Sequence, residues 1–290
     1  MAIKNWLVHG DCHGDFLWMF DLKDKCVPEE TAIIILGDVG FDFYLTNSDI
    51  KKKKDIEYKG YYIYWLRGNH EARPSDVEGY QIIFDDNVHG QVYYDPRFPH
   101  LRAFLDYGLY DINGYTCLVI GGAYSVDKFW RLKRAGLTEE TNNPKKSGWF
   151  SNEQLSIEEM QNCERMIQKF TANGFVVDFV LTHTCPTAYQ PTDLFLNFID
   201  QSTVDNSMEL WLDKLKFKFR WHIWLFGHYH ADRIEVPHVE QFYKDTESLD
   251  DIMERWTRFD ETGEMEWWIV KGEKYDRFLD YHIRDYCDLV

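Results

Sequence analysis

Short apolar runs, each ended by a burst of polar residues, alternate with longer amphipathic stretches through the first seventy positions. Residues 5–9 (NWLVH) read as a strand, 15–24 (DFLWMFDLKD) as a helix, 31–38 (TAIIILGD) as a second strand and 61–68 (YYIYWLRG) as a third. A polar, lysine-rich stretch over 46–60 separates the last two. Near-continuous apolar runs of this length belong to strands buried on both faces, and their alternation with helical patterns predicts βαβ units. From 80 to 120 the pattern changes to strand-like pieces divided by turn residues, including QVYY, LVIGG and the turn DINGY, which predicts a hairpin-rich second sheet.

Residues 121–150 mix aromatic and basic positions without a period. Ser151 is predicted to open a helix through a capping box with Gln154, followed by Leu155, Met160, Ile167 and Phe170 at helical spacing and closed at Asn173-Gly174. A strand over 175–183, an amphipathic helix over 208–218 and a strand over 221–230 follow. The acidic, aromatic tail carries a predicted helix at 248–257 and a predicted strand at MEWWIV, 265–270. No linker or repeat divides the chain, so the expectation is one α/β domain over 1–237 with a C-terminal segment, 238–290, packed on it.

Composition narrows the classes. A hydrophobic share of 44% supports a sizeable core and excludes global disorder. The formal net charge of −17 disfavours a long nucleic acid as partner, because such binding neutralises phosphates with Lys and Arg. The N-terminal residues show no signal-peptide pattern and no apolar run reaches membrane-spanning length, so the expected compartment is the cytoplasm. Six cysteines are scattered without a Cys-x-x-Cys pair, which argues against a disulfide framework or a structural zinc site.

The polar bursts carry the chemistry. Strand ends bring Asp11 and His13 (GDCHG), Asp38 (LGD), Asn69 and His70 (RGNHE), His183 (LTH), and His228 and His230 (GHYH). In open α/β sheets the carboxyl ends of strands share one edge, so these residues are expected to converge. Glycine precedes Asp11, Asp38, Asn69 and His228, and is expected to permit the turns that aim the next side chain. Carboxylate, imidazole and amide oxygens without thiolate suit Mn²⁺ foremost, then Fe or Zn²⁺. Seven donors exceed one tetrahedral ion and fit two divalent cations about 3.5–4 Å apart, sharing a carboxylate and lowering the pKa of a bridging water. Such a pair would suit phosphate oxygens, and the expected chemistry is in-line hydrolysis at phosphorus.

Taken in order, GDCHG, GD, RGNHE, THTCP and GHYH resemble the calcineurin-like metallophosphoesterase superfamily. The resemblance implies a four-layer α/β/β/α sandwich of two mixed sheets, with the metals at one edge. It implies that Asp11, His13, Asp38 and His230 hold one cation and that Asp38, Asn69, His183 and His228 hold the other. It implies that His70 protonates the leaving oxygen. The second motif, GDVGFDFY, lacks the Asp-Arg-Gly of phosphoprotein phosphatases and dinucleoside tetraphosphatases: Asp42 comes one position late and no arginine follows. The expected activity is therefore metal-dependent hydrolysis of a small phosphomonoester or phosphodiester, with those two subfamilies as alternatives.

Arg67 is a candidate phosphate contact, or else a support of its loop through Glu71 or Asp15. Arg131, in AYSVDKFWRLKR, is a second candidate substrate contact, against an ordinary surface loop with Phe129 and Trp130 tucked into the core. From another class comes a non-catalytic scaffold, in which Trp256, Trp267, Trp268, Tyr275, Tyr281 and Tyr286 dock a partner or a second copy of the chain.

Overall fold

The computed structural model describes residues 3–172, 174–196 and 199–263. Thirteen strands are built from the described residues: β1 (Asn5–His9), β2 (Thr31–Ile35), β3 (Tyr62–Trp65), β4 (Gln81–Asp85), β5 (Gly90–Tyr94), β6 (Leu101–Phe104), β7 (Tyr107–Ile112), β8 (Tyr115–Ile120), β9 (Val177–Thr182), β10 (Trp221–Phe226), β11 (Arg233–Val236), β12 (Val239–Gln241) and β13 (Thr246–Ser248). The α-helices are α1 (Asn47–Glu57), α2 (Lys128–Ala135), α3 (Pro144–Ser147), α4 (Ile157–Thr171), α5 (Ser207–Leu215) and α6 (Leu249–Thr262).

The strands form two mixed sheets, ordered β13-β1-β2-β3-β6-β5-β4 and β11-β12-β10-β9-β8-β7. In each sheet a parallel centre is flanked by antiparallel edges: β1, β2, β3 and β6 run parallel in one, and β8, β9, β10 and β12 in the other. Period-two alternation sorts their side chains. Ala32 and Ile34 of β2 and Tyr64 of β3 meet Cys117, Val119, Phe179, Leu181, Ile223 and Leu225 between the sheets. Ile33, Ile35, Ile63 and Trp65 point the other way, to Met19, Leu22 and Ile56 of the outer helical layer. On the far face Leu118, Val180, Trp224 and Phe226 pack under Met160, Ile167, Leu212 and Leu215 of α4 and α5. The sequence thus makes the expected layered sandwich, because both sheets are apolar on two faces and both faces must be covered.

Several local expectations change. The segment 15–24 forms a 3₁₀ helix over Leu17–Leu22. The lysine-rich stretch is α1, whose buried face is Asp49, Lys53 and Ile56; two of these are polar and pair off, Asp49 with the amide of Leu45 (2.6 Å) and Lys53 with Asp42 (2.6 Å). The capping box lies at Ser156 and Glu159, five residues after the expected Ser151. The carbonyls of Asn152, Glu153 and Gln154 accept from the guanidinium groups of Arg73, Arg67 and Arg73, which withholds them from a helical ladder.

The described part of the C-terminal segment supplies β12 to one sheet and β13 to the other, while Leu249, Ile252, Trp256 and Phe259 of α6 enter the core between them. Trp256 is fully buried and so is no docking surface. The expected strand at 265–270, with Trp267, Trp268, Tyr275, Tyr281 and Tyr286, lies outside the described residues. Among the described residues no helix is long and apolar enough to cross a membrane.

Candidate metal centre

The carboxyl ends of β1, β2, β3, β9 and β10 meet at one edge and bring all seven expected donors together. His183 Nε2 lies 3.5 Å from Asp38 Oδ2 and His183 Nδ1 lies 3.9 Å from Asp11 Oδ1. His230 Nε2 lies 3.4 Å from Asp11 Oδ2 and 2.9 Å from His13 Nε2, and His13 Nε2 is 3.9 Å from both Asp11 Oδ2 and Asp38 Oδ2. Asn69 Oδ1 is 3.0 Å from His183 Nε2, and the His228 ring stands 4.9 Å from that of His183. Two donor groups emerge, Asp11–His13–His230 and Asp11–Asp38–His183. His70 Nε2 is 3.9 Å from Asp38 Oδ2, and its backbone amide donates to Asp38 Oδ1 at 2.7 Å.

Backbone conformation records how hard these residues are held. His13, Asp38, His228 and His230 all take left-handed φ values, of 46°, 47°, 70° and 55°. Each costs about 1 kcal/mol or more for a residue with a Cβ, and such strain collects at functional sites. The expectation that the preceding glycines make the turns therefore holds only for Gly37, at φ +96°. Of the donors after the other three glycines only His228 itself bends, and at those three positions glycine is required for closeness. A Cβ on Gly68 would sit 2.0 Å from Asp38 Oδ1, and one on Gly227 2.2 Å from Asp11 Oδ1.

The donors are also oriented as a cation requires. His183 Nδ1 faces the Leu36 carbonyl at 2.7 Å, which leaves Nε2 turned toward Asp38 and Asn69. Asn69 Nδ2 donates to Ser125 Oγ (2.9 Å), whose hydroxyl donates to Glu153 Oε2 (2.6 Å), so the amide oxygen faces the centre. Asp11 and Asp38 are buried, and two such carboxylates demand positive charge. Burial opposes protonation of His183, but Asp38 and Asp11 outweigh it and raise its pKa to about 9. A cation would take that role, so donor set, orientation and charge all fit a metal pair.

A family model described as calcineurin-like phosphoesterase matches residues 6–232. The chain belongs to this family. It is a phosphoesterase, of a family whose chemistry is metal-dependent hydrolysis of phosphoesters. Comparison with curated protein sequences gave no match. Among solved structures, the phosphopantetheinyl hydrolase PptH of Mycobacterium tuberculosis is similar at 14% identity and a TM-score of 0.37, covering 83% of this chain and 90% of that one. The sulfate thiohydrolase SoxB of Thermus thermophilus is similar at 10% identity and 0.36, covering 84% and 51%.

Around the centre of the phosphoesterase, the two arginines of LRGNHEAR build the frame. Arg67 is buried, with Nε on Asp106 (2.6 Å) and Nη1 on the Glu153 carbonyl (2.6 Å), in place of the expected Glu71 or Asp15. Arg73 joins the same Asp106 and reaches Glu159. Together they fix the loop that carries Glu153, and through Ser125 they fix Asn69. Glu71 accepts from the Gly68 amide (2.8 Å), and burial together with nearby Asp38 pushes its carboxyl up to about 8. The late Asp42 is a structural partner, buried against Lys53 and Tyr80.

Two bays open from the centre. One, of about 530 Å³, runs from Asp38, His70 and His228 along Val126, Leu194, Leu196 and Val204, and is largely apolar. The other, of about 280 Å³, is lined by His13, Phe43, Tyr44, Lys52, His70 and Arg131. Burial lowers the pKa of His70, with Asp38 opposing and Arg131 reinforcing the effect. Phe129 and Trp130 are exposed, which counts against the alternative that tucks them into the core. Lys52 and Glu153 were not singled out from the sequence, and Ser125 stood out only as part of the loop after β8, since serine, glutamate and one lysine in a run of four carry no ligand signature.

Proposed function

We propose that this phosphoesterase hydrolyses a small phosphoester at a pair of divalent cations, Mn²⁺ foremost. Asp11, His13, Asp38 and His230 would hold one, and Asp38, Asn69, His183 and His228 the other. The observation that carries the reading is the position of Asp38, whose carboxylate is within 4 Å of His13, His70 and His183. When bound, the cations supply positive charge for the phosphate oxygens and acidify water near neutral pH.

The protein's own groups do the rest. His70 holds a proton for the leaving oxygen, its loop pinned by the amide contact to Asp38. Arg131 is locked by Asp127 (2.7 Å) and the Gly148 carbonyl (2.8 Å) and faces the same bay as His70, where a guanidinium can meet a phosphate oxygen. The apolar bay accepts the ester substituent and excludes water from it.

The test uses purified, metal-analysed protein with Mn²⁺ and two chromogenic esters, an aryl phosphate and a diaryl phosphate. Hydrolysis of at least one, abolished in Asp38→Asn, is expected. Removing His70 should cost roughly 10²–10⁴-fold on an alkyl ester and far less on a nitrophenyl ester, whose leaving group needs no proton. Protein that binds no metal and cleaves neither ester would overturn the reading.

A further inference from the structure

The second bay does not end at Arg131. Through Phe43, Tyr44 and Arg131 it continues into a groove of about 390 Å³ lined by Trp130, Arg134, Lys145 and Lys146. The charge here runs against the rest of the molecule. The net formal charge is −17, yet residues 128–146 carry six Lys or Arg against two Glu. Glu139 pairs with Lys128, and among the described residues no carboxylate pairs with Arg134, Lys145 or Lys146.

A run of charges is ordinarily a solvated face, but three features distinguish this one. The cations line a concave wall that is continuous with the bay holding His13 and His70. They alternate with exposed rings, Tyr44 and Trp130 at 55% and 58%, and Arg134 lies 5.2 Å over Trp130. The groove is also prearranged. α2 ends on Gly136 at φ 68° and α3 is capped by the Asn143 side chain, so two helices bring Arg134 and Lys145–Lys146 to the same wall. Clustered cations in a cleft raise the local concentration of anions and grip phosphate oxygens.

We propose that this groove binds a second phosphate of the substrate, which makes the preferred substrate a small phosphoester that carries another phosphate beside the one cleaved. The proposal rests on the hydrolase reading above and adds the substrate class. The scissile phosphate sits at the centre, and the other lies past Arg131 against Arg134, Lys145 and Lys146.

The experiment compares adenosine 3′,5′-bisphosphate with adenosine 5′-monophosphate, which share base and sugar, on Mn²⁺-loaded protein. The wild type should favour the bisphosphate by about tenfold or more in kcat/KM, mostly through KM. The triple substitution Arg134→Ala, Lys145→Ala, Lys146→Ala should bring the ratio close to one and leave aryl phosphate turnover within about twofold. Raising salt from about 0.05 to 0.5 M should shrink the wild-type preference and not that of the triple variant. A wild type without preference, or a triple variant that keeps it, overturns the groove. Calorimetric binding of both nucleotides is read in parallel. If no ester is cleaved, the hydrolase reading falls, while the groove still stands or falls on the wild-type and variant affinities for the bisphosphate.

Discussion

Replacing Ser125 by alanine tests how the centre is held together. The hydroxyl is the hinge of a buried relay: it accepts from Asn69 Nδ2 at 2.9 Å and donates to Glu153 Oε2 at 2.6 Å. Its loss strips one partner from each of two buried groups, while the Ser125 amide keeps its bond to Glu153 Oε1 at 3.0 Å. An unsatisfied buried polar group costs about 1–3 kcal/mol, so unfolding free energy should fall by roughly 2 kcal/mol. The more telling effect is on Asn69. Without the relay its amide has no reason to keep the oxygen turned to the centre, and loss of such a supporting partner weakens metal affinity by about 10–100-fold. The assay is Mn²⁺ titration against a competing fluorescent chelator, with kcat measured at saturating metal. Expected are weaker metal binding and a kcat restored at high Mn²⁺, because the cation can realign the amide. Destabilisation with unchanged metal affinity would refute the argument and leave Ser125 as packing alone.

Other outcomes follow from the same geometry. Gly68→Ala forces a Cβ onto Asp38 Oδ1 and onto its backbone nitrogen at 2.3 Å; an overpacking cost of about 1–3 kcal/mol and loss of activity are expected, read by denaturant unfolding and ester turnover. Chelating the metal should lower Tm by several degrees in the wild type and by much less in Asp38→Asn, where the buried charge is already reduced. Burial pushes the Glu209 carboxyl up to about 7 from 4.5, with the Thr184 hydroxyl opposing. Its contribution to stability is then full below pH 4.5 and lost as pH rises through 7, on the order of 3 kcal/mol, so Glu209→Gln should flatten the fall in Tm between pH 5 and 8. Arg131→Ala should raise KM for every accepted ester; unchanged turnover and KM would remove Arg131 from the site.

Strand positions and the gathering of seven donors were legible because they follow from local pattern: apolar runs buried on two faces, each closed by Asp, Asn or His. The relay from Asn69 to Glu153 was not, since Ser125 and Glu153 differ in no way from ordinary loop residues until β8 ends beside β3. Ser151 and Ser156 offer similar capping signals, and only the capture of the 152–154 carbonyls by Arg67 and Arg73 decides between them. α1 escaped detection because its inward face relies on Lys53 meeting Asp42, a polar pair that hydropathy scores as surface. Gly37 makes its turn as the pattern suggests, but Gly68 and Gly227 are required by close approach to Asp38 and Asp11, neighbours far along the chain that no local pattern reveals.

The pairing of β1 with β13 sets Leu7 beside Ser248, and the Gly10 position is backed by the carbonyl of Phe242. The earliest-made side chains of the centre thus lean on nearly the last described stretch. During synthesis Asp11 and His13 leave the ribosome long before their backing exists, and contacts so distant along the chain form slowly. Cation loading should accordingly be a late, post-translational event, and a nascent chain halted before residue 242 should emerge without a finished metal pocket.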